Sequence, residues 1–166
     1  MLPALLAVVS FRATGGPIVG SSPRCFTRME STDVPSIIVG GGRIGHTLAG
    51  LGESVVMKRG DPFPAAPTEG PIYVCTRNDA LSGIIDATPP ERREDLVFLQ
   101  NGMLGKFLKS KGLSDATQVL LYLAVSKLGE KPIDGITEVN PEGLTSSTGK
   151  WAGAFKVRLH SSACVL

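Results

Sequence analysis

The stretch "SIIVGGGRIGHTL", residues 36–48, decides which fold this chain can adopt. A short run of β-branched residues ends at a cluster of glycines, and apolar residues then recur at helical spacing. This pattern is typical of a buried parallel strand that turns sharply into an amphipathic helix. The sequence therefore predicts a strand over residues 34–39 and a helix over residues 43–51.

The glycines of this stretch match the spacing G-x-G-x-x-G of dinucleotide-binding loops. In such loops the first glycine permits a tight turn, the second lets the backbone approach a pyrophosphate, and the third lets the helix pack against the strand. The N–H groups at the helix start then face the phosphates. The predicted cofactor contacts of this loop are Gly40, Gly41, Gly42, Arg43, Ile44 and Gly45. A glycine cluster that forms only a structural turn is the alternative.

The same alternation of strand and helix patterns continues along the chain. Further strands are predicted over residues 54–58, 72–76, 95–100 and 117–126. Short loops between such elements indicate βαβ units, so we predict an α/β, Rossmann-like, mostly parallel sheet with helices on both faces. Residues 135–155 are predicted as a hairpin-like segment that completes a domain over residues 34–155, and residues 156–166 as a truncated or disordered tail.

Composition and charge limit the classes of function. A chain of 166 residues suits one domain, and its 42 % hydrophobic and 19 % charged residues are typical of globular proteins. The first 29 residues hold three arginines and no acid, so the rest of the chain holds 14 basic and all 15 acidic residues. This balance argues against nucleic acid as a partner. Cys25, Cys75 and Cys164 are far apart, which predicts neither a metal site nor a disulfide framework.

Residues 1–28, "MLPALLAVVSFRATGGPIVGSSPRCFTR", differ in composition from the remainder of the chain. The apolar run is shorter than the roughly 20 residues that span a bilayer, so no membrane partner is predicted. Arginines, hydroxyl residues and the lack of acids are typical of an organelle transit peptide, which favours the chloroplast, with the mitochondrion as an alternative. A disordered leader, or a cytosolic form that starts at Met29, is also open.

The end of the second predicted strand indicates which dinucleotide would bind. NAD sites usually place an Asp or Glu about 20 residues after the first glycine, whereas a 2′-phosphate calls for Arg. Here Lys58 and Arg59 lie 18 and 19 residues after Gly40. Two cations attract a phosphate, so NADP(H) is predicted over NAD(H). The alternative is that both side chains only face solvent.

Two more strand ends carry polar side chains, in "VCTRNDA", residues 74–80, and "LVFLQNGM", residues 97–103. Open α/β sheets bind ligands at the carboxyl ends of their strands. Thr76 is therefore a candidate cofactor contact, Arg77 a candidate for binding a carboxylate or phosphate, and Asn101 a candidate hydrogen-bond partner of cofactor or substrate. Ordinary polar loop residues are the alternative.

Taken in order, these motifs resemble the N-terminal NADP-binding domain of ketopantoate reductases over about residues 35–150. The resemblance implies NADPH-dependent reduction of a 2-oxo acid to a 2-hydroxy acid, with hydride delivered from the nicotinamide. It places the family's Asn on Asn101, which would position substrate or cofactor, and the NADP-selecting Arg on Arg59. Arg77 stands where the family usually has Lys, so its catalytic assignment is the weaker match.

Members of that family carry their proton-donating Lys in a C-terminal helical domain. This sequence ends at Leu166, before such a domain, so we predict a truncated reductase with weak or absent activity alone. A full-length form would take a small 2-oxo acid as its partner, and a homo-oligomer is open. The alternative function is a non-catalytic nucleotide-binding or regulatory module that acts through a partner chain; a dehydrogenase of another 2-hydroxy acid ranks third.

Overall fold

The computed structural model describes residues 33–130, 133, 135, 137–139 and 143–160. The predictions for the leader, residues 1–28, and for residues 161–166 lie outside the described residues.

Six strands in the described part of the chain form one sheet. They are β1 (Ser36–Val39), β2 (Ser54–Met57), β3 (Ile72–Val74), β4 (Leu96–Phe98), β5 (Thr117–Leu120) and β6 (Ser146–Thr148). Their order across the sheet is β2-β1-β3-β4-β5-β6, with the first five strands parallel and β6 antiparallel to β5. The predicted mostly parallel α/β sheet is therefore confirmed.

The helices cover both faces of the sheet, as predicted. They are α1 (Arg43–Gly50), α2 (Leu81–Ala87), α3 (Gly105–Ser110) and α4 (Ala152–His160), with 3₁₀ turns over Asn78–Ala80 and Pro90–Asp95. Successive strand residues point to opposite faces. Ile38 packs with Leu48 of α1 and Phe155 of α4, whereas Ile37 packs with the apolar residues of α2 and α3, among them Ile85.

The strand order creates a switch point beside β1. From β1 the chain crosses to β2 on one side, and β3 then pairs with the other side of β1. The connections that leave β1 and β3 at their carboxyl ends therefore diverge. A crevice opens where they separate, which is where open α/β sheets bind ligands.

The end of the domain corrects three of the sequence-based boundaries. The predicted strand over residues 117–126 ends at Leu120, and an isolated antiparallel bridge joins Ala124 to Ile133 beyond it. The predicted hairpin-like segment contains β6 but continues into α4. Residues 156–160, predicted to belong to the tail, form the second half of that helix.

Arg158 explains why this helix belongs to the domain. Its side chain is fully buried and donates hydrogen bonds to Ser36 Oγ at 2.7 Å, the Leu48 carbonyl at 3.0 Å and the Glu53 carbonyl at 3.1 Å. The guanidinium also lies 5.4 Å from the centre of the Tyr73 ring. These contacts hold α4 against the start of β1 and the end of α1. They join residues that lie far apart in the sequence, so only the tertiary structure brings them together.

Candidate functional site

An open cavity of about 690 Å³ lies at the carboxyl ends of β1, β2 and β3, against one side of α2. Its volume falls in the range of small-molecule sites, roughly 300–1,000 Å³. The residues that line it are Val39, Gly40, Gly41, Gly42, Met57, Lys58, Arg59, Gly60, Cys75, Thr76, Arg77, Asp79, Ala80, Gly83, Ile84 and Ala87. The cavity therefore occupies the switch point of the sheet.

The three glycines of the loop have different steric surroundings. Gly40 has a φ of +110°, and a Cβ atom there would lie 2.9 Å from the Cys75 carbonyl oxygen, so only glycine fits without strain. A Cβ atom on Gly45 would overlap the Gly40 carbonyl oxygen, because α1 packs directly against the loop. A Cβ atom on Gly42 would meet nothing within 4 Å. The first and third glycines thus serve packing, and the second leaves open space in front of the backbone.

The start of α1 faces this open space without a side-chain cap. Gly42 is the N-cap residue, and the first turn contains no acidic residue. The first N–H groups of an α-helix have no partner inside the helix and carry partial positive charge. The N-terminus of α1 is therefore suited to bind an anion.

Two cations stand beside the helix start, in the turn after β2. The Lys58 N–H donates a hydrogen bond to Asp61 Oδ2 at 2.8 Å, and the Asp61 N–H donates to the Lys58 carbonyl at 3.2 Å. Gly60 completes the turn with a φ of +91°. Lys58 and Arg59 line the cavity with exposed side chains. The turn thus holds two positive charges at the cavity mouth.

The end of β3 contributes the opposite wall. Thr76 lines the cavity there, followed by Arg77, which lies 3.4 Å from Asp79 Oδ1. The side chains of this ion pair are 90 % and 70 % exposed, so the pair holds Arg77 only weakly. With Lys58 and Arg59, the cavity has three cations against one carboxylate among its lining residues.

Asn101 lies outside the cavity, after β4. Its Nδ2 donates to the Leu121 carbonyl at 2.9 Å, and its Oδ1 accepts a hydrogen bond from the Leu121 N–H at 3.0 Å. The side chain thereby continues the pairing of β4 with the chain that leaves β5. Both ends of the amide are engaged by backbone, and contact of Asn101 with a ligand stays a prediction.

Arg43 also holds the chain that follows β5. Its Nη1 donates to the carbonyls of Val125 and Ser126 at 2.9 and 3.0 Å. The structure brings seven of the predicted site residues to the cavity wall: Gly40, Gly41, Gly42, Lys58, Arg59, Thr76 and Arg77. The other four predicted residues do not line it: Arg43, Ile44, Gly45 and Asn101.

One wall of the cavity was not predicted from the sequence. Ala80, Gly83, Ile84 and Ala87 line it from α2 and the turn before it. Three of these residues are small and recur at helical spacing, which leaves room beside the helix. The pattern A-x-x-G-I-x-x-A was the available signal, but it is also an ordinary feature of buried helices.

Cys75 is the cavity's thiol. Burial raises the pKa of this thiol to about 12, although the nearby Arg158 lowers it in part. The thiol is therefore protonated at neutral pH, and a protonated thiol is a poor nucleophile and metal ligand. Cys75 thus serves as a wall of the cavity.

In comparisons with known proteins, no protein-family model, curated protein or solved structure matches the chain. Over the part of the chain that the structure describes, no three His, Cys, Asp or Glu side chains come together as a set of metal ligands. No helix in that part is long and apolar enough to span a membrane. The cavity geometry is therefore the basis for a functional assignment.

Proposed function

We propose that this chain binds NADP(H) in the switch-point cavity, as the cofactor domain of a reductase resembling ketopantoate reductases. One observation carries the proposal. The open backbone of Gly42, at the uncapped start of α1, shares a cavity with the paired cations Lys58 and Arg59. The helix start suits the pyrophosphate that NADP shares with NAD, and the Lys–Arg pair suits the 2′-phosphate that distinguishes NADP from NAD.

Different groups of lining residues suit different parts of NADP(H). The glycine loop would hold the pyrophosphate, because the space in front of Gly42 is open and the start of α1 next to it has no side-chain cap. Met57 and Ile84 offer apolar surface for the adenine ring next to the turn after β2. The planar guanidinium of Arg59 can donate two parallel hydrogen bonds to a 2′-phosphate, with Lys58 adding charge.

The preference for NADP(H) over NAD(H) follows from the residues at the end of β2. NAD sites use a carboxylate there to bind the ribose hydroxyl. Lys58 and Arg59 occupy this position, while the carboxylate of Asp61 accepts a hydrogen bond from the Lys58 backbone and does not line the cavity. A 2′-phosphate would therefore meet cations rather than an acid.

The reaction that the resemblance suggests is reduction of a 2-oxo acid to a 2-hydroxy acid. Bound NADPH would supply the hydride to the carbonyl carbon, and water would supply the proton of the new hydroxyl group. Arg77 is the exposed cation that can bind the carboxylate of such a substrate, because its ion pair with Asp79 is weak. Under this proposal, the described residues would bind the cofactor and anchor the carboxylate of the substrate.

A second candidate function is a nucleotide-binding module without chemistry of its own. The state of Asn101 favours it, since both ends of this amide are committed to the backbone of Leu121. Under this proposal the chain binds NADPH but does not oxidise it with ketopantoate or other 2-oxo acids. Absorbance of NADPH during incubation with these acids distinguishes the two functions.

Replacing Arg59 with Ala tests the cofactor assignment. We expect Arg59→Ala to raise the dissociation constant of NADPH about tenfold or more, because a hydrogen bond to a charged group contributes roughly 1.5–3 kcal/mol. NADH has no 2′-phosphate, so its affinity should change little. Isothermal titration calorimetry with both nucleotides makes the comparison.

Two further variants complete this experiment. Lys106→Ala removes a positive charge from α3, away from the cavity, and should leave both affinities unchanged. Gly42→Ala should weaken NADPH and NADH alike, because its methyl group enters the space in front of the loop. Equal losses of NADPH and NADH affinity in Arg59→Ala would count against the NADP(H) assignment.

A further inference from the structure

Gln100 follows β4 and has a role that the proposed function does not assign. Its side chain is buried, with 9 % of the residue exposed. Nε2 donates hydrogen bonds to the Val74 carbonyl at 2.9 Å and to the Thr76 carbonyl at 3.0 Å. The register of β3 with β4 ends at the pair Val74 and Phe98, so this side chain continues the connection between the two strands beyond the ladder.

The segment that Gln100 holds is a wall of the cavity. The Cγ2 atom of Thr76 lies 3.0 Å, and the Cys75 carbonyl oxygen 2.9 Å, from the place that a Cβ atom on Gly40 would occupy. The chain leaving β3 is therefore in close contact with the glycine loop. Any movement of Thr76 would change the width of the cavity between these two walls.

One polar atom of the Gln100 side chain lacks a hydrogen-bond partner in the described part of the chain, which a purely stabilising role of this residue does not explain. Its Oε1 is buried and has no hydrogen-bond partner among the described residues, and the same holds for Thr76 Oγ1. A buried acceptor without a partner is costly, and such groups are rare in folded proteins. In natural proteins, buried polar groups without hydrogen-bond partners are found mainly at functional sites.

We infer that Gln100 is a positioning residue of the NADP(H) site, one that holds Thr76 against the glycine loop and so sets the cavity width. The inference rests on the proposed function. Gln100 does not line the cavity, so it acts through the backbone of residues 74–76 and not through contact with the ligand.

The variant Gln100→Met separates positioning from stability. Met has a similar length and volume, so the substitution removes both donated hydrogen bonds together with the unpaired acceptor. We expect the midpoint of urea unfolding to fall, because the Val74 and Thr76 carbonyls lose their donor and removal of the unpaired Oε1 offsets only part of this loss. The dissociation constant of NADPH should rise about tenfold, because the Thr76 wall is released. Amide hydrogen exchange of residues 75–80 in the ligand-free chain should become faster.

Gln118→Met is the matched control. Gln118 lies half-buried on β5, and its side chain makes no hydrogen bond with any described residue. This variant should leave NADPH affinity and the exchange of residues 75–80 unchanged. If Gln100→Met does not fold, Gln100→Asn serves instead, since its amide is one methylene too short to reach both carbonyls.

The outcomes distinguish the inference from the function on which it rests. Weaker NADPH binding with faster amide exchange confined to residues 75–80 supports the role of Gln100. Unchanged NADPH affinity, or a loss of affinity accompanied by faster exchange throughout the chain, overturns that role while NADP(H) binding stands. Absence of NADPH binding in the unaltered chain overturns the proposed function and the role of Gln100 with it.

Discussion

At the scale of single residues, the spacing of the glycines in the loop predicted the structural role of each glycine. The sequence assigned the tight turn to Gly40 and the close helix packing to Gly45, and the surroundings of both residues agree. These roles follow from backbone geometry that is local to a strand, a turn and a helix. The orientation of Asn101 was not predictable in this way, because it depends on Leu121, 20 residues further along the chain.

We predict that Gly45→Ala destabilises the fold by roughly 1–3 kcal/mol or more, because its Cβ atom overlaps the Gly40 carbonyl oxygen. Gly50→Ala is the control in the same helix: nothing lies within 4 Å of its Cβ atom, and alanine there should stabilise by roughly 0.5–1 kcal/mol. Urea denaturation followed by circular dichroism measures both. A Gly45→Ala variant as stable as the unaltered chain would contradict the packing of α1 on the loop.

At the scale of elements, α4 is the main departure from expectation. Its buried side presents Phe155 and Arg158, so a charged residue occupies a position where a periodicity search looks for an apolar one. The helix forms because β1, α1 and Glu53 supply acceptors for the guanidinium. Asp33 lies 3.6 Å from the same group.

We predict that Arg158→Met lowers the free energy of unfolding by about 3 kcal/mol or more, because it leaves several buried acceptors without a donor. Lys156→Met, on the exposed side of the same helix, should change stability by about 0.5 kcal/mol or less. Thermal unfolding of the two variants provides the test. Equal melting temperatures for Arg158→Met and Lys156→Met would show that the buried contacts contribute nothing.

At the scale of the whole molecule, a polar cluster closes the end of the sheet opposite the cavity. Asp95, just before β4, accepts hydrogen bonds from Arg92 at 2.8 Å, Lys150 at 2.8 Å and the Trp151 indole N–H at 3.0 Å. Arg92 also donates to the carbonyls of the loop that precedes β3. The cluster thus joins the last helical segment to the middle of the sheet.

Asp95 gives the fold a defined dependence on pH. Burial raises the pKa of this carboxyl, but the hydrogen bonds from Lys150, Arg92 and Trp151 outweigh it, so the pKa is lowered from its ordinary value of 3.8. A lowered folded-state pKa stabilises the fold above the unfolded-state pKa, and this contribution is lost as pH falls through the folded-state pKa.

We therefore predict that the stability difference between the unaltered chain and Asp95→Asn is largest near neutral pH and shrinks below about pH 4. Urea denaturation at a series of pH values between about 7 and 3 measures this difference. A difference that stays constant across the series would show that the carboxylate charge does not carry the stabilisation.

The sequence by itself determined the parallel sheet, the helices on both faces and the glycine loop with its neighbouring cations. These features arise from hydrophobic periodicity and short-range backbone sterics, which are local properties of the chain. Only the tertiary structure decided that α4 belongs to the domain, that Asn101 is engaged with Leu121, and that α2 and Gln100 shape the cavity. The places of α4, Asn101 and Gln100 depend on polar groups whose partners lie far along the chain, and the α2 wall depends on where that helix packs on the sheet. Local pattern encodes neither.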